Sequence, residues 1–120
     1  MMRRQKTGHQ TGLDAERMCR LALRLKFYRI LAMRYKTPMG EIDIVATRGN
    51  TVIAVEVKAR ATREDALESI SSQQRARIAQ ALQDFVMRHP RFARHNLRFD
   101  VMLAVSRQWP VHIKNAWLVD

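Results

Sequence analysis

Two runs rich in Ile and Val, residues 41–47 and 51–60, are separated by Arg48-Gly49-Asn50 alone, and apolar residues alternate with charged ones in each, at Glu41-Ile42-Asp43-Ile44 and Val55-Glu56-Val57-Lys58. β-branched residues at a period of two predict strands, and Gly49-Asn50 suits a two-residue hairpin loop. With that loop, Arg48 faces Thr51 and the register of the whole hairpin follows. One face then carries Ile42 opposite Val57, Ile44 opposite Val55 and Ala46 opposite Ile53, and is expected to be buried. The other carries Glu41 opposite Lys58, Asp43 opposite Glu56, Val45 opposite Ala54 and Thr47 opposite Val52, so its charges gather at one end.

The same alternation predicts a strand over 28–35, joined to the hairpin by the turn Lys36-Thr37-Pro38-Met39-Gly40, a further strand over 97–105, and a last one over 111–119. Helical spacing appears in three places. Thr11-Gly12-Leu13-Asp14 has the form of a capping box and opens a helix to about Lys26, with Met18, Leu21, Ala22 and Leu25 as its expected buried stripe. Thr62 caps a short helical piece, and Ile78, Ala79, Leu82, Phe85 and Val86 mark an amphipathic helix from Ser72 to about His89, with Pro90 just beyond. Trp109 and Trp117 flank the last strand and are expected to pack in the core or at its edge. The order αβββαββ predicts an α/β fold, a mixed β-sheet flanked by helices, as a single domain over 11–120 preceded by a flexible basic arm over 1–10.

Charge narrows the function. Lys and Arg number 22 against 11 acids in 120 residues, a formal charge of +11, which points to a polyanionic partner, nucleic acid before membrane. No apolar run approaches a membrane span, and the basic N-terminus is not followed by the apolar stretch of a secretory signal, so a cytoplasmic protein is expected. Cys19, the only cysteine, excludes an internal disulfide and reads as a small core residue. His9, His89, His95 and His112 lack zinc-ligand spacing and are expected to be solvated or capping. Arg17, Arg20 and Arg24 form a row along the first helix and, with Arg34, Lys36 and Arg60, are the candidate nucleic-acid contacts; a solvated face is the alternative for the row.

The hairpin carries the candidate chemistry. Directly opposed side chains have Cβ atoms roughly 4.5–5.5 Å apart, and two carboxylates that close repel unless a proton or a cation lies between them. Hard oxygen ligands at this spacing suit Mg²⁺ or Mn²⁺, and Lys58 projects from the same face to act electrostatically on a water or a phosphate. The alternative is an ordinary Glu41–Lys58 ion pair, with Asp43 and Glu56 in solvent at a strand end.

Glu16 in the first helix, Gly40-Glu41-Ile42-Asp43, Val55-Glu56-Val57-Lys58-Ala59-Arg60 and Arg98-Phe99-Asp100-Val101 together resemble the YraN-like family of predicted bacterial endonucleases, over about residues 12–117. By that resemblance the chain has a restriction-endonuclease-like core of the PD-(D/E)XK superfamily, similar in form to archaeal Holliday-junction resolvases. The resemblance implies that Asp43, Glu56 and the backbone carbonyl of Val57 bind Mg²⁺ or Mn²⁺, that Lys58 assists the attacking water, and that Glu16 completes a catalytic set of Asp43, Glu56, Lys58 and Glu16. Asp100 is either a further site residue or the partner of Arg98. The chain departs from the family pattern at Arg34-Tyr35-Lys36, usually closer to Asn-Trp-Arg, and at Gln74, usually lysine. The implied function is metal-dependent hydrolysis of phosphodiester bonds in DNA, with branched or recombination intermediates among the candidate substrates and a homodimer by analogy with the resolvases. The alternative is a non-catalytic nucleic-acid-binding protein that retains the nuclease fold.

Overall fold

The computed structural model describes residues 8–118, with side chains from residue 14 onward. Helix α1 spans Gly8–Leu25 and therefore begins inside the expected arm, the rest of which lies outside the described residues. The expected capping box at 11–14 is thus interior to the helix. Three strands follow, β1 (Arg29–Lys36), β2 (Glu41–Arg48) and β3 (Thr51–Lys58). A short helix α2 (Arg63–Glu68) is capped by Thr62, whose Oγ1 accepts from the Asp65 amide at 3.1 Å. Helix α3 (Ser72–Arg88) starts at Ser71, whose Oγ accepts from the Gln74 amide at 3.1 Å. A single 3₁₀ turn at Pro90–Phe92 leads into β4 (Asn96–Leu103) and β5 (Val111–Trp117).

The strands form one sheet in the order β1-β2-β3-β4-β5, parallel only where β4 joins β3. A parallel neighbour needs a crossover, and α2 and α3 supply it across one face while α1 covers the other. This α/β architecture, a mixed five-stranded sheet with helices on both faces, is consistent with the restriction-endonuclease-like core expected from the chain.

Each face has its own core. On one side Cys19, Ala22 and Leu23 of α1 pack with Ile44, Ala46, Ile53, Val55 and Met102; on the other Ile78, Leu82 and Phe85 of α3 pack with Val45, Val52, Ala54 and Val101. The expected stripe on α1 is rotated: Met18, Leu21 and Leu25 are exposed, and of its four residues only Ala22 is buried. The small Cys19 and Ala22 let the helix lie close over a sheet of branched side chains, which larger residues in their place would hold off. Trp117 is buried and stacks on Phe99 with ring centroids 5.4 Å apart, whereas Trp109 is exposed.

The hairpin register is as expected from Arg48–Thr51 to Ile44–Val55, and the pairing stops there. Ile42 packs on the α3 side although Ile44, two residues along, packs on the α1 side, so strand alternation breaks at Asp43. The break is shared by β1, where Met33 pairs with Ile44 and Tyr35 with Ile42 while Arg34 between them has φ 51°. For a residue with a bulky side chain that conformation costs on the order of 1–3 kcal/mol. Local period-two reasoning therefore fails at the level of Asp43, the point where the candidate chemistry lies.

Gly40 ends the β1–β2 turn directly against α3. A Cβ there would lie 2.9 Å from the carbonyl oxygen of Arg77, a backbone atom that cannot rotate away. Gly40→Ala is expected to lower unfolding free energy by about 1–3 kcal/mol, the usual range for overpacking, in a denaturant titration. Wild-type stability would mean that α3 is free to shift.

Candidate functional site

Where the β2–β3 ladder stops, the two acids replace it. The Asp43 amide donates to Glu56 Oε2 at 3.1 Å, and the Val57 amide donates to Asp43 Oδ2 at 2.8 Å. Each carboxylate thus satisfies a backbone donor of the opposite strand that would otherwise lack a partner. Glu56 is 4% exposed and Asp43 partly buried. Among the described residues no amide donates to Asp43 Oδ1 or Glu56 Oε1.

Burial and the neighbouring Asp43 charge push the Glu56 carboxyl up to about 8 from its ordinary 4.5. Burial also raises Asp43, against the pull of the Val57 amide and with a further push from the Glu16 charge. Without a cation, the pair is therefore held together by a proton. A folded-state pKa above the unfolded value adds stability that is full below pH 4.5 and fades as pH rises through about 8. Raising the pH from 6 to 9 in EDTA is expected to lower the melting temperature of the wild type more than that of Glu56→Gln, which has no proton to lose. Parallel curves would remove the shared proton.

The donor set of two adjacent carboxylates fits Mg²⁺ or Mn²⁺, ions that keep several waters and need only one or two protein carboxylates. Among the described residues no group of three or more His, Cys, Asp or Glu side chains is set to hold a metal ion. Glu16 is turned aside. Its Oε2 accepts from Arg34 Nε at 2.8 Å, with the acid 14% exposed, and it reaches Asp43 through its charge alone. Lys58 also acts through charge, favouring the ionised form of both Asp43 and Glu56. It makes no ion pair with Glu41. The Val57 amide is committed to Asp43.

The basic candidates divide by position. Lys36 lies opposite Glu41 in the β1–β2 register, Arg60 is exposed just past β3, and Arg34 holds Glu16, so these three surround the acid end of the hairpin. Arg17 is exposed and 3.9 Å from Asp14 on its own helix. Arg20 is half-buried, and Arg24 is exposed two turns past Glu16, about 12 Å along the helix axis.

Asp100 belongs elsewhere. It is fully buried, and Arg98 grips both its oxygens at 2.8 Å while His112 Nε2 donates to Oδ2 at 2.7 Å and the Asn115 amide to Oδ1 at 2.9 Å. Of the two readings of Asp100, the ion pair with Arg98 is the one formed. His112, expected to be solvated or capping, is buried in this network with its Nδ1 3.4 Å from the Lys26 ammonium.

A cleft of about 500 Å³ opens beside the acids, between Gly40, Glu41, Asp43 and Glu56 on the sheet and Ser71, Gln73, Gln74, Arg77 and Ile78 on α3. No spacing in the sequence joins α3 to the hairpin. The only local signal was Gly40, a residue without a side chain next to a charged strand.

A model of the uncharacterised protein family UPF0102 matches residues 15–104. The chain is 47% identical over 110 residues to a UPF0102 protein of Parvibaculum lavamentivorans, covering 92% of this chain and 83% of that one. It is 46% identical to one of Chelativorans sp., covering 92% and 89%, and 42% identical to one of Methylorubrum extorquens, covering 98% and 91%.

Proposed function

The chain belongs to the uncharacterised protein family UPF0102, and we propose that it is a metal-dependent nuclease of the PD-(D/E)XK type acting on DNA. The observation that carries this reading is the Asp43–Glu56 clamp: a buried and a partly buried carboxylate side by side where the β2–β3 ladder stops, each accepting from an amide of the opposite strand. Holding such a pair together is costly without a cation. A divalent ion there supplies neutralisation of charge for the attack of water on a phosphodiester.

The chain's own groups perform the remaining tasks. Asp43 and Glu56 fix the ion and, through their amide bonds, the splay of β2 from β3. Lys58 adds positive charge on the same strand as Glu56, where charge develops on the phosphate. Arg34, Lys36 and Arg60 offer phosphate contacts around the acid end, and the +11 charge favours approach of a polyanion. Glu16 is available as a third acid once Arg34 is drawn to a phosphate.

The test is a panel of linear duplex, single-stranded, flapped and four-way DNA, with RNA beside it, incubated with Mg²⁺, Mn²⁺ or EDTA. Cleavage with either metal and none with EDTA is expected. Salt-dependent binding without cleavage of any substrate would favour instead a nucleic-acid-binding protein that keeps the fold.

A further inference from the structure

The cleft has two walls of opposite charge, and only the acidic one figures in the sequence. Arg77 lines the cleft with Glu41, Asp43 and Glu56, yet makes no ion pair with any of them and, among the described residues, no side-chain hydrogen bond. Arg34 shows what the alternative looks like, since its Nε donates to Glu16 at 2.8 Å. Arg77 keeps all five N–H donors of a planar fork suited to phosphate.

Its position is built rather than incidental. Gly40 has no side chain, and the Arg77 backbone occupies that space, with the carbonyl oxygen 2.9 Å and Cβ 3.0 Å from where a Gly40 Cβ would lie. The turn that delivers the acidic strand is thus the surface on which the Arg77 backbone rests, so its side chain starts from a fixed point beside that strand. Gln73 and Gln74 add neutral amides to the same wall, and α3 begins there with its positive end.

We infer that Arg77, on the α3 wall of the cleft, is a phosphate-binding residue that holds a nucleic-acid phosphodiester against the Asp43–Glu56 pair. This inference rests on the nuclease reading for its ligand class. It goes beyond that reading by giving the substrate strand a path between the sheet and α3, with a cation on the acidic wall and a phosphate on the basic one. It also makes Arg77 a positioning residue for the strand.

The test uses the full chain and a fluorescently labelled 30-base-pair DNA duplex in EDTA, so that no cleavage is required. Each phosphate neutralised on duplex DNA contributes about 0.9 to the slope of log affinity against log salt. Arg77→Gln is expected to lower the slope by about that amount and weaken binding several-fold at 100 mM salt, with an unchanged melting temperature. Arg77→Lys, which keeps the charge, is expected to restore most of the slope. Arg94→Gln, beyond the opposite end of the sheet, is expected to leave the slope unchanged. A slope and affinity for Arg77→Gln equal to wild type would overturn the inference even if the protein cleaves DNA, as would a wild type that does not bind the duplex. An Arg77-dependent slope in a protein that never cleaves would uphold the phosphate site and end the nuclease reading.

Discussion

Asp43→Asn and Glu56→Gln are each expected to reduce metal-dependent DNA cleavage by about 100-fold or more, the consequence of losing roughly 3 kcal/mol of electrostatic stabilisation in the transition state. The two substitutions are informative because they preserve the clamp. An amide oxygen at position 43 can still accept from the Val57 amide, and one at position 56 from the Asp43 amide, so the strands need not move. Only the charge is lost. Binding to DNA in EDTA should therefore stay near wild type, because the phosphate contacts come from arginine and lysine. Any rise in melting temperature with added Mg²⁺ or Mn²⁺ should shrink as well, since an ion that binds the folded state stabilises it by mass action. Cleavage at the wild-type rate by either variant would remove the acids from the chemistry.

Much of this site was legible because its main parts are close in sequence. Gly49-Asn50 set the hairpin and its register as far as Ile44–Val55, and carrying that register on puts Asp43 level with Glu56, which meet through the Asp43 amide rather than a ladder pair. Reading failed where a long-range contact overrides a local rule. Ile42 leaves the face it should share with Ile44 at the level where Arg34 of the neighbouring strand has φ 51°, and no two-residue pattern encodes a break shared between strands. The phase of α1 was lost in a similar way. Met18, Leu21, Ala22 and Leu25 suggested the buried stripe, but the face that meets the sheet is rotated to Cys19, Ala22 and Leu23. Arg77 was invisible for a simpler reason: its neighbours in the cleft lie on strands far away in sequence.

Asp100→Ala is expected to destabilise the protein by about 3–5 kcal/mol, the range for removing one partner of a buried ion pair, without involving the cleft. Four bonds converge on this carboxylate. Its removal leaves the Arg98 guanidinium, the His112 Nε2 proton and the Asn115 amide without their acceptor, in a place where Asp100 itself is wholly shielded from water. Tyr28 would remain on Arg98 at 2.8 Å, but a phenolic oxygen does not balance the charge. The network also joins elements: β5 bulges at Asn115, which has φ 53°, so that its amide can reach Asp100, and Lys26 at the end of α1 meets His112. Burial alone would push the Asp100 carboxyl up, yet the bonds from His112, Arg98 and Asn115 outweigh it and hold the group below its ordinary 3.8. A folded-state pKa below the unfolded one gives stability that is present above pH 3.8 and lost as pH falls through the folded value. Wild type should therefore lose this stabilisation on acidification below about pH 4, while Asp100→Asn, weaker at neutral pH, should lack that acid step. Chemical denaturation of the three proteins at pH 7 and across the acid range checks both points. An Asp100→Ala protein as stable as wild type but unable to respond to Mg²⁺ would instead move Asp100 from the scaffold to the metal site.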